Sequence, residues 1–287
     1  MWFALSGERA PRWRALFSLG GGRRTLWPVL AAVVSLCTID PATANCAADR
    51  IDEYAGISRV HDGDTVVLRD GRKLRLIGIN TPELARDDSP GQPYAQEARA
   101  ALAALLGSTV EIGLRFDEQH VDHYGRLLAH LYLPDGESVQ AQLLQQGYAA
   151  AIAVPPNLWN QECYRSAEER ATRAGLGLWQ LGYYQPLAAT DIGPDFTDDG
   201  FRFVRGRVVR SGTGTNAVWL NLEGGLALRI ARPDLHYFPG FHPRDLVGKV
   251  VIARGWLRTR GATPVMQIRH PSALKVESDR GDDSLLR

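Results

Sequence analysis

Cysteine is scarce in this sequence, with three residues at positions 37, 46 and 163 among 287. So few cannot staple a disulfide scaffold, and without a C-x-x-C pair neither a cysteine zinc site nor c-type haem attachment is supported. Net charge is equally small, since 33 Lys and Arg face 32 Asp and Glu for a formal +1, and that total names no polyanionic partner. The apolar run from Leu26 to Cys37 has about 12 residues, well short of the roughly 20 that a membrane-spanning helix needs. What is present, 45% hydrophobic and 23% charged residues with 29 Gly, is the composition of a globular chain able to bury a core. The length suits one or two domains.

The first 44 residues stand apart. Arg9, Arg12, Arg14, Arg23 and Arg24, opposed by Glu8, precede the apolar run, and Ala42-Thr43-Ala44 then offers small residues at cleavage spacing. That order predicts a signal peptide over 1–44, cut after Ala44, and an exported protein, periplasmic or secreted, with no stable membrane insertion after cleavage. The alternative, an uncleaved anchor, is opposed by the shortness of the run and by Pro28 within it. Gly22-Arg23-Arg24-Thr25-Leu26-Trp27 also has the twin-arginine form. Export leaves Cys46 and Cys163 as an even pair in an oxidising compartment. A Cys46 to Cys163 bridge is one reading and two free thiols the other, because sequence alone cannot fix the Cα separation.

Beyond Ala44, short β-rich runs alternate with turn signals. Strands are expected over Tyr54 to Val60, Thr65 to Arg69, Lys73 to Ile79, Val110 to Phe116 and Leu127 to Leu133, with a hairpin turn at Asp70-Gly71. Helices are expected over Tyr94 to Leu106, whose apolar positions 98, 101, 102, 105 and 106 form one stripe, over Ser138 to Gln146, and over Asn160 to Ala174 with Asn160 as N-cap. Five strands with a helix between the third and fourth is an OB-type ordering, so the expected class is α+β, a five-stranded OB-type barrel with three helices. This first domain is drawn over 45–182. Residues 183–200, rich in Pro, Gly, Asp and Thr, read as a linker. Five further strands, Arg202 to Val209, Ala217 to Leu222, Ala227 to Ile230, Lys249 to Leu257 and Val265 to Ile268, predict a second small all-β OB-like barrel over 201–276, followed by a flexible tail over 277–287.

Three motifs carry chemistry. Asp62-Gly63-Asp64-Thr65 stands at a strand entrance, Arg75-Leu76-Ile77-Gly78-Ile79-Asn80-Thr81-Pro82-Glu83 follows the hairpin, and Asp122-His123-Tyr124-Gly125-Arg126-Leu127 precedes the fifth strand. Singly each is weak, for Asp-Gly-Asp is usually a turn and an arginine on a strand usually a solvated face. Together they supply two arginines, hard oxygen ligands and a carboxylate beside a proline-stiffened turn, the inventory of a metal-assisted phosphodiester hydrolysis.

In this order the motifs resemble those of the staphylococcal nuclease, or thermonuclease, family, over about Tyr54 to Trp179 and including Pro156-Asn157 and the Gly-Leu-Gly-Leu-Trp ending at Trp179. The resemblance implies an OB barrel and a calcium-dependent (Ca2+) endonuclease acting on DNA and RNA. It implies Asp64 as a carboxylate ligand to calcium, Thr81 as a ligand through its carbonyl, Glu83 as general base on the attacking water, and Arg75 and Arg126 as holders of the scissile phosphate. It implies in-line attack with departure of the 5′ oxygen, leaving 3′-phosphate ends, with His123 and Tyr124 where a terminal phosphate would be touched. Calcium takes oxygen ligands, and guanidinium forks match phosphate oxygens.

Two departures stand out. Asn80 holds the place where the family usually has a second ligating Asp, so calcium affinity is expected to fall with the ligand charge. Ala149 to Pro155 lacks the tyrosines that stack on substrate in the family's best-known member, and Tyr148 is the candidate stand-in. His120, His123 and His130 are read as solvated or packed, and Trp159 and Trp179 as anchors of the last helix. Between Phe201 and Lys275 there are 13 Lys and Arg but 3 Asp and Glu. Arg202, Arg205, Arg207, Arg210, Arg254, Arg258, Arg260 and Arg269, interleaved with Phe203, Trp219, Tyr237, Phe238 and Trp256, read as a nucleic-acid footprint. The bland alternative is core tryptophans beside a solvated face. The expected whole is a monomeric exported nuclease with a nucleic-acid-gripping C-terminal module; the alternative is an exported binding or scaffold protein on a weakened nuclease fold.

Overall fold

The computed structural model describes residues 46–86, 90–107, 111–193, 196–259 and 263–277. The signal segment expected over 1–44, Val110, Arg260 and all but the first residue of the expected tail lie outside them. The described residues fall within one compact unit, Thr43–Arg287.

The N-terminal half begins with β1 (Glu53–Ala55) and β2 (Ile57–Val60), which divide the single run expected there at Gly56. They are followed by β3 (Thr65–Leu68), β4 (Lys73–Leu76) and β5 (Ile79–Asn80), then by α1 (Ala95–Leu106), β6 (Ile112–Arg115), β7 (Leu127–Tyr132), α2 (Val139–Gln145), β8 (Ala150–Ala151) and α3 (Gln161–Arg173). The β3–β4 hairpin turns at Asp70-Gly71, where the Asp70 carboxylate accepts the Arg72 backbone N–H at 3.0 Å. The pairing order β1-β6-β7-β4-β3-β2 has β1 and β2 at its two ends. As these are consecutive segments of chain, the order returns on itself, which is the OB arrangement.

Apolar periodicity dictates the helices. Ala98, Leu102 and Leu106 of α1 are buried, and Leu102 and Leu106 pack with β-strand residues such as Val66, Leu74, Ile112 and Leu131. Ser138 caps α2 by accepting the Ala141 N–H, satisfying one of the unpaired donors of a helix start. Asn160, expected as the cap of α3, does otherwise. It sits at φ 62° with no side-chain cap bond, and its Nδ2 donates to the Cys46 carbonyl at 3.0 Å. Beside it Cys46 and Cys163 are joined, S–S 2.10 Å with Cα atoms 5.6 Å apart.

The C-terminal half contains β9 (Leu187–Ala188), β10 (Gly200–Thr213), β11 (Ala217–Leu222), β12 (Ala227–Ala231), β13 (Val250–Arg258), β14 (Val265–Gln267) and β15 (Leu274–Val276). Pairings run β10–β11–β12–β14–β13 and back to β10, the same order as in the first half, again with one parallel pair. Its own core gathers Val204, Leu220, Leu228, Ile230, Ala253 and Met266.

The segment expected as a linker is part of the packing. β9 pairs in parallel with β10 at Leu187↔Val204, Ile192 is buried in the second core, and the Tyr184 hydroxyl donates to the Pro93 carbonyl at 2.9 Å. A third cluster, Ala150, Leu178, Tyr184, Phe201 and Phe203, joins the two halves. Trp179 belongs to this junction, its ring edge-on to Phe203. Among the described residues no helix is long and apolar enough to cross a membrane.

Candidate active site

The Asp62-Gly63-Asp64 turn lies directly against Thr81. A Cβ on Gly63 would fall 2.7 Å from Thr81 Oγ1 and 2.9 Å from Ala98 Cβ, so the turn approaches closely only because residue 63 has no side chain. Asp64 is thereby buried. Its Oδ2 accepts the Thr81 N–H at 2.9 Å and pairs with Arg75 Nη1 at 2.5 Å, while Oδ1 accepts from Thr65 Oγ1 at 3.2 Å. Arg75 is in register with Thr65 across the hairpin, which sets it over Asp64. Burial pushes the Asp64 carboxyl up to about 7, with Arg75 pulling down and Asp62 pushing further up. Desolvation thus outweighs the ion pair with Arg75 and disfavours the charged form of the carboxyl.

Asn80 completes this network. Its Oδ1 accepts from Arg75 Nη2 at 3.3 Å and its Nδ2 donates to the Thr81 carbonyl at 3.3 Å. β5, which carries it, pairs Asn80↔Ala150 with β8. The preceding Gly78 turns at φ 84° in a space where a Cβ would meet the Tyr164 ring at 2.6 Å. Among the described residues no group of three or more His, Cys, Asp or Glu is arranged to hold a metal ion. The oxygen donors here, the Asp64 carboxylate, the Asn80 amide oxygen and the Thr81 carbonyl, carry one negative charge between them, with Asp62 buried beside them. In type they fit a hard cation.

Arg75, Asn80, Glu83, His123, Tyr124 and Arg126 line one cleft of about 930 Å³. Arg75 pairs with Leu128 across the parallel β4–β7 ladder, so Arg126 enters at the same end of the neighbouring strand. Asp122 fixes Arg126 twice, accepting from its backbone N–H at 2.9 Å and from Nε at 2.8 Å. Burial opposes ionisation of Asp122, but these hydrogen bonds hold its carboxyl below the usual range. Tyr124 is 74% exposed, its ring tilted at 42° against His123 with centroids 3.7 Å apart and 5.4 Å from the Arg126 guanidinium. The Glu83 side chain is 52% exposed, 3.3 Å from Arg86. Its backbone is clamped by Gln92, whose Oε1 accepts the Glu83 N–H at 3.0 Å and whose N–H donates back to the Glu83 carbonyl at 2.8 Å. Gln92 and Arg86 were not singled out from the sequence, and no local motif marks them. Asp122 could have been read more strongly from its spacing to Gly125 and Arg126.

Other expectations change in the folded chain. Tyr148 stacks on Tyr94 at 5.5 Å and packs against the first core, so it does not serve as a cleft stand-in. His130 is buried, its Nδ1 2.8 Å from the Tyr164 hydroxyl and its ring 4.9 Å from Trp159, and burial pushes it down to about 3. Several arginines of the expected footprint are committed elsewhere. Arg202 is buried against Asp198 and over the Tyr183 ring, Arg205 pairs with Glu277 at 2.6 Å, and Arg207 donates to the Gly248 carbonyl at 2.6 Å. Arg254 grips Glu168 of α3 at 2.7 Å. Phe203 and Phe238 are buried. Arg210, Arg229 and Arg258 face no carboxylate at ion-pair distance among the described residues.

Residues 73–181 match the family described as Staphylococcal nuclease homologue. The chain is 35% identical over 126 residues to Thermonuclease of Staphylococcus hyicus, covering 43% of this chain and 73% of that protein. It is 36% identical over 133 residues to Endonuclease YncB of Bacillus subtilis, covering 45% and 62%. A longer match, 30% identical over 181 residues and covering 62% and 85%, is to Succinoglycan biosynthesis protein ExoI of Rhizobium meliloti. On these matches the chain belongs to the staphylococcal nuclease family of phosphodiester-cleaving hydrolases.

Proposed function

We propose that the chain is an exported, monomeric, calcium-dependent nuclease hydrolysing DNA and RNA, with a nuclease domain over 45–182 and a nucleic-acid-gripping C-terminal domain over 201–276. The observation that carries this reading is the interlocked set Asp64, Arg75, Asn80 and Thr81, of which Arg75 and Asn80 line one cleft with Glu83 and Arg126 while Asp64 and Thr81 are buried behind them. Asp64, Asn80 and the Thr81 carbonyl would hold calcium, which when bound supplies positive charge to polarise a phosphate oxygen. Glu83, exposed to water, takes the proton of the attacking water as general base. Arg75 and Arg126 grip the phosphate oxygens and offset the charge that grows on them, and Asp122 keeps Arg126 aimed. His123 and Tyr124, at the cleft rim, contact a terminal phosphate, and the 5′ oxygen departs.

The test is degradation of plasmid DNA and of RNA by the mature protein with calcium, with EDTA, and with Glu83→Gln. Cleavage is expected with calcium alone. Absence of cleavage across a wide calcium range would favour the alternative, an exported nucleic-acid-binding or scaffold protein on a weakened nuclease fold, for which the single ligand carboxylate paired to Arg75 is the supporting observation.

A further inference from the structure

The catalytic cleft does not end at the nuclease domain. Trp256, Arg258 and Arg269, all from the C-terminal half, line it beside Ile152 and Val154. The same five residues also line a second depression of about 490 Å³, which continues over the C-terminal sheet to Trp219 and Arg229. Trp219 in turn borders a third hollow, with Arg210 on its rim. The second and third hollows together are lined by five arginines and by no Asp or Glu.

Trp256 is 42% exposed and stands edge-on to Phe201 at 5.4 Å, a backing that holds the indole upright. The Arg229 guanidinium lies 5.8 Å from the Trp219 ring. The exposed Trp256 and the half-buried Trp219, alternating with guanidinium groups, suit unpaired bases and their phosphates; a duplex keeps its bases stacked on one another and offers no such faces. Trp256 also stands beside residues 152 and 154, in the segment that lacks stacking tyrosines.

Building on the nuclease reading of the cleft, we infer that a single nucleic-acid strand leaves the catalytic cleft over Trp256 and runs along the C-terminal sheet to Trp219. The two domains thus share one substrate path. Arg254, Arg202, Arg205 and Arg207 play no part in it, and Arg269 is tied to the Pro155 carbonyl at 2.9 Å and to Asp234 at 3.5 Å, so Arg258 and Arg229 supply its phosphate contacts.

The test uses the whole mature chain in EDTA, where no cleavage is expected, and fluorescence anisotropy of labelled oligothymidylates of about 3 and about 15 nucleotides, a length that fills one OB-type face. The longer strand should bind at least about ten-fold tighter than the shorter, a gap of about 1.4 kcal/mol. Trp256→Ala and Arg258→Gln should each remove most of that gap, and Trp256→Phe should restore it. Arg258→Gln should also lower the slope of log affinity against log salt by about 0.7. Equal affinity for the two lengths would overturn the path, as would a gap unchanged in both variants or a duplex of the same length bound as tightly as the single strand. Length-dependent binding by a wild-type protein that cleaves nothing with calcium would support the path and overturn the nuclease reading.

Discussion

Asn80→Asp would add a second carboxylate to the proposed calcium ligands, and its consequences depend on what Asn80 touches. The Nδ2 atom replaced by oxygen is the one that donates to the Thr81 carbonyl at 3.3 Å, so without metal the substitution sets two acceptors face to face beside buried Asp64. A lost buried hydrogen bond with an unsatisfied partner costs about 1 to 3 kcal/mol, and Arg75, in contact with Oδ1 at 3.3 Å, offsets part of it. With calcium the sign reverses, because both acceptors then face a divalent cation. Attraction of several kcal/mol per added charge at an effective dielectric near 20 is reduced by desolvation. The expected residue is a ten- to hundred-fold fall in the calcium concentration for half-maximal cleavage, about 1.4 to 2.8 kcal/mol. Initial rates of single-strand cleavage against calcium, together with urea midpoints in EDTA and in calcium, measure both signs. A calcium requirement unchanged in the variant, with equal urea midpoints in EDTA, would refute the placing of Asn80 at the metal.

Glu168→Gln keeps an acceptor for the Ala151 N–H, at 2.8 Å in the parent, but removes the charge facing Arg254; a loss of about 2 to 4 kcal/mol is expected in urea unfolding, and a change under about 0.5 kcal/mol would mean that the pair carries no weight. Reduction of the Cys46–Cys163 bond releases a loop spanning 117 residues and should lower stability by about 3 to 5 kcal/mol; two titratable thiols in the unfolded, unreduced protein would refute the bridge. His130 is held neutral, pushed from 6.5 down to about 3 by burial. Its contribution is therefore complete above about 6.5 and lost as pH falls toward about 3, on the order of 4 kcal/mol in all. Urea midpoints against pH should show a shallower acid slope in His130→Gln, and parallel curves would exclude His130 as its source.

The hairpin was legible because Asp70-Gly71 sits between two Val- and Leu-rich runs, and β11 because Ala217 to Leu222 is apolar but for Asn221 and lies between Gly-rich turns. The candidate site was legible as three motifs, since Asp64 precedes β3, Arg75 lies in β4 and Thr81 follows β5, and the turns bring the three together. β9 and β15 were not legible, for two or three residues cannot display a period and their strand character comes from β10 and β13. The cap of α3 failed because Asn160 can satisfy its side chain on Cys46, 114 residues away, which no local rule anticipates. The basic footprint was overcounted for the same reason. Arg254 and Arg202 have partners that composition cannot display, one of them on the polar face of α3, where Glu168 reads as an ordinary exposed helix residue. Gln92 escaped notice because its work is done through the backbone of Glu83.

The Arg254–Glu168 contact bears on catalysis through the backbone it holds. Glu168 accepts the Ala151 N–H at 2.8 Å and Arg254 donates to the Ala151 carbonyl at 3.0 Å, so one ion pair fixes both polar groups of a single peptide residue in β8. That residue is in register with Ile79, and its neighbour Ala150 with Asn80. An arginine of the C-terminal sheet is therefore two contacts from Asn80, and the shared cleft wall at Trp256 and Arg258 starts from the same strand, β13. Buried ion pairs are weak stabilisers on net, but this one also bonds both polar groups of Ala151 in β8, which pairs with β5. It holds β5 and β8 so that the Asn80 amide meets Arg75 and Thr81, and it sets the C-terminal sheet where Trp256 reaches the cleft.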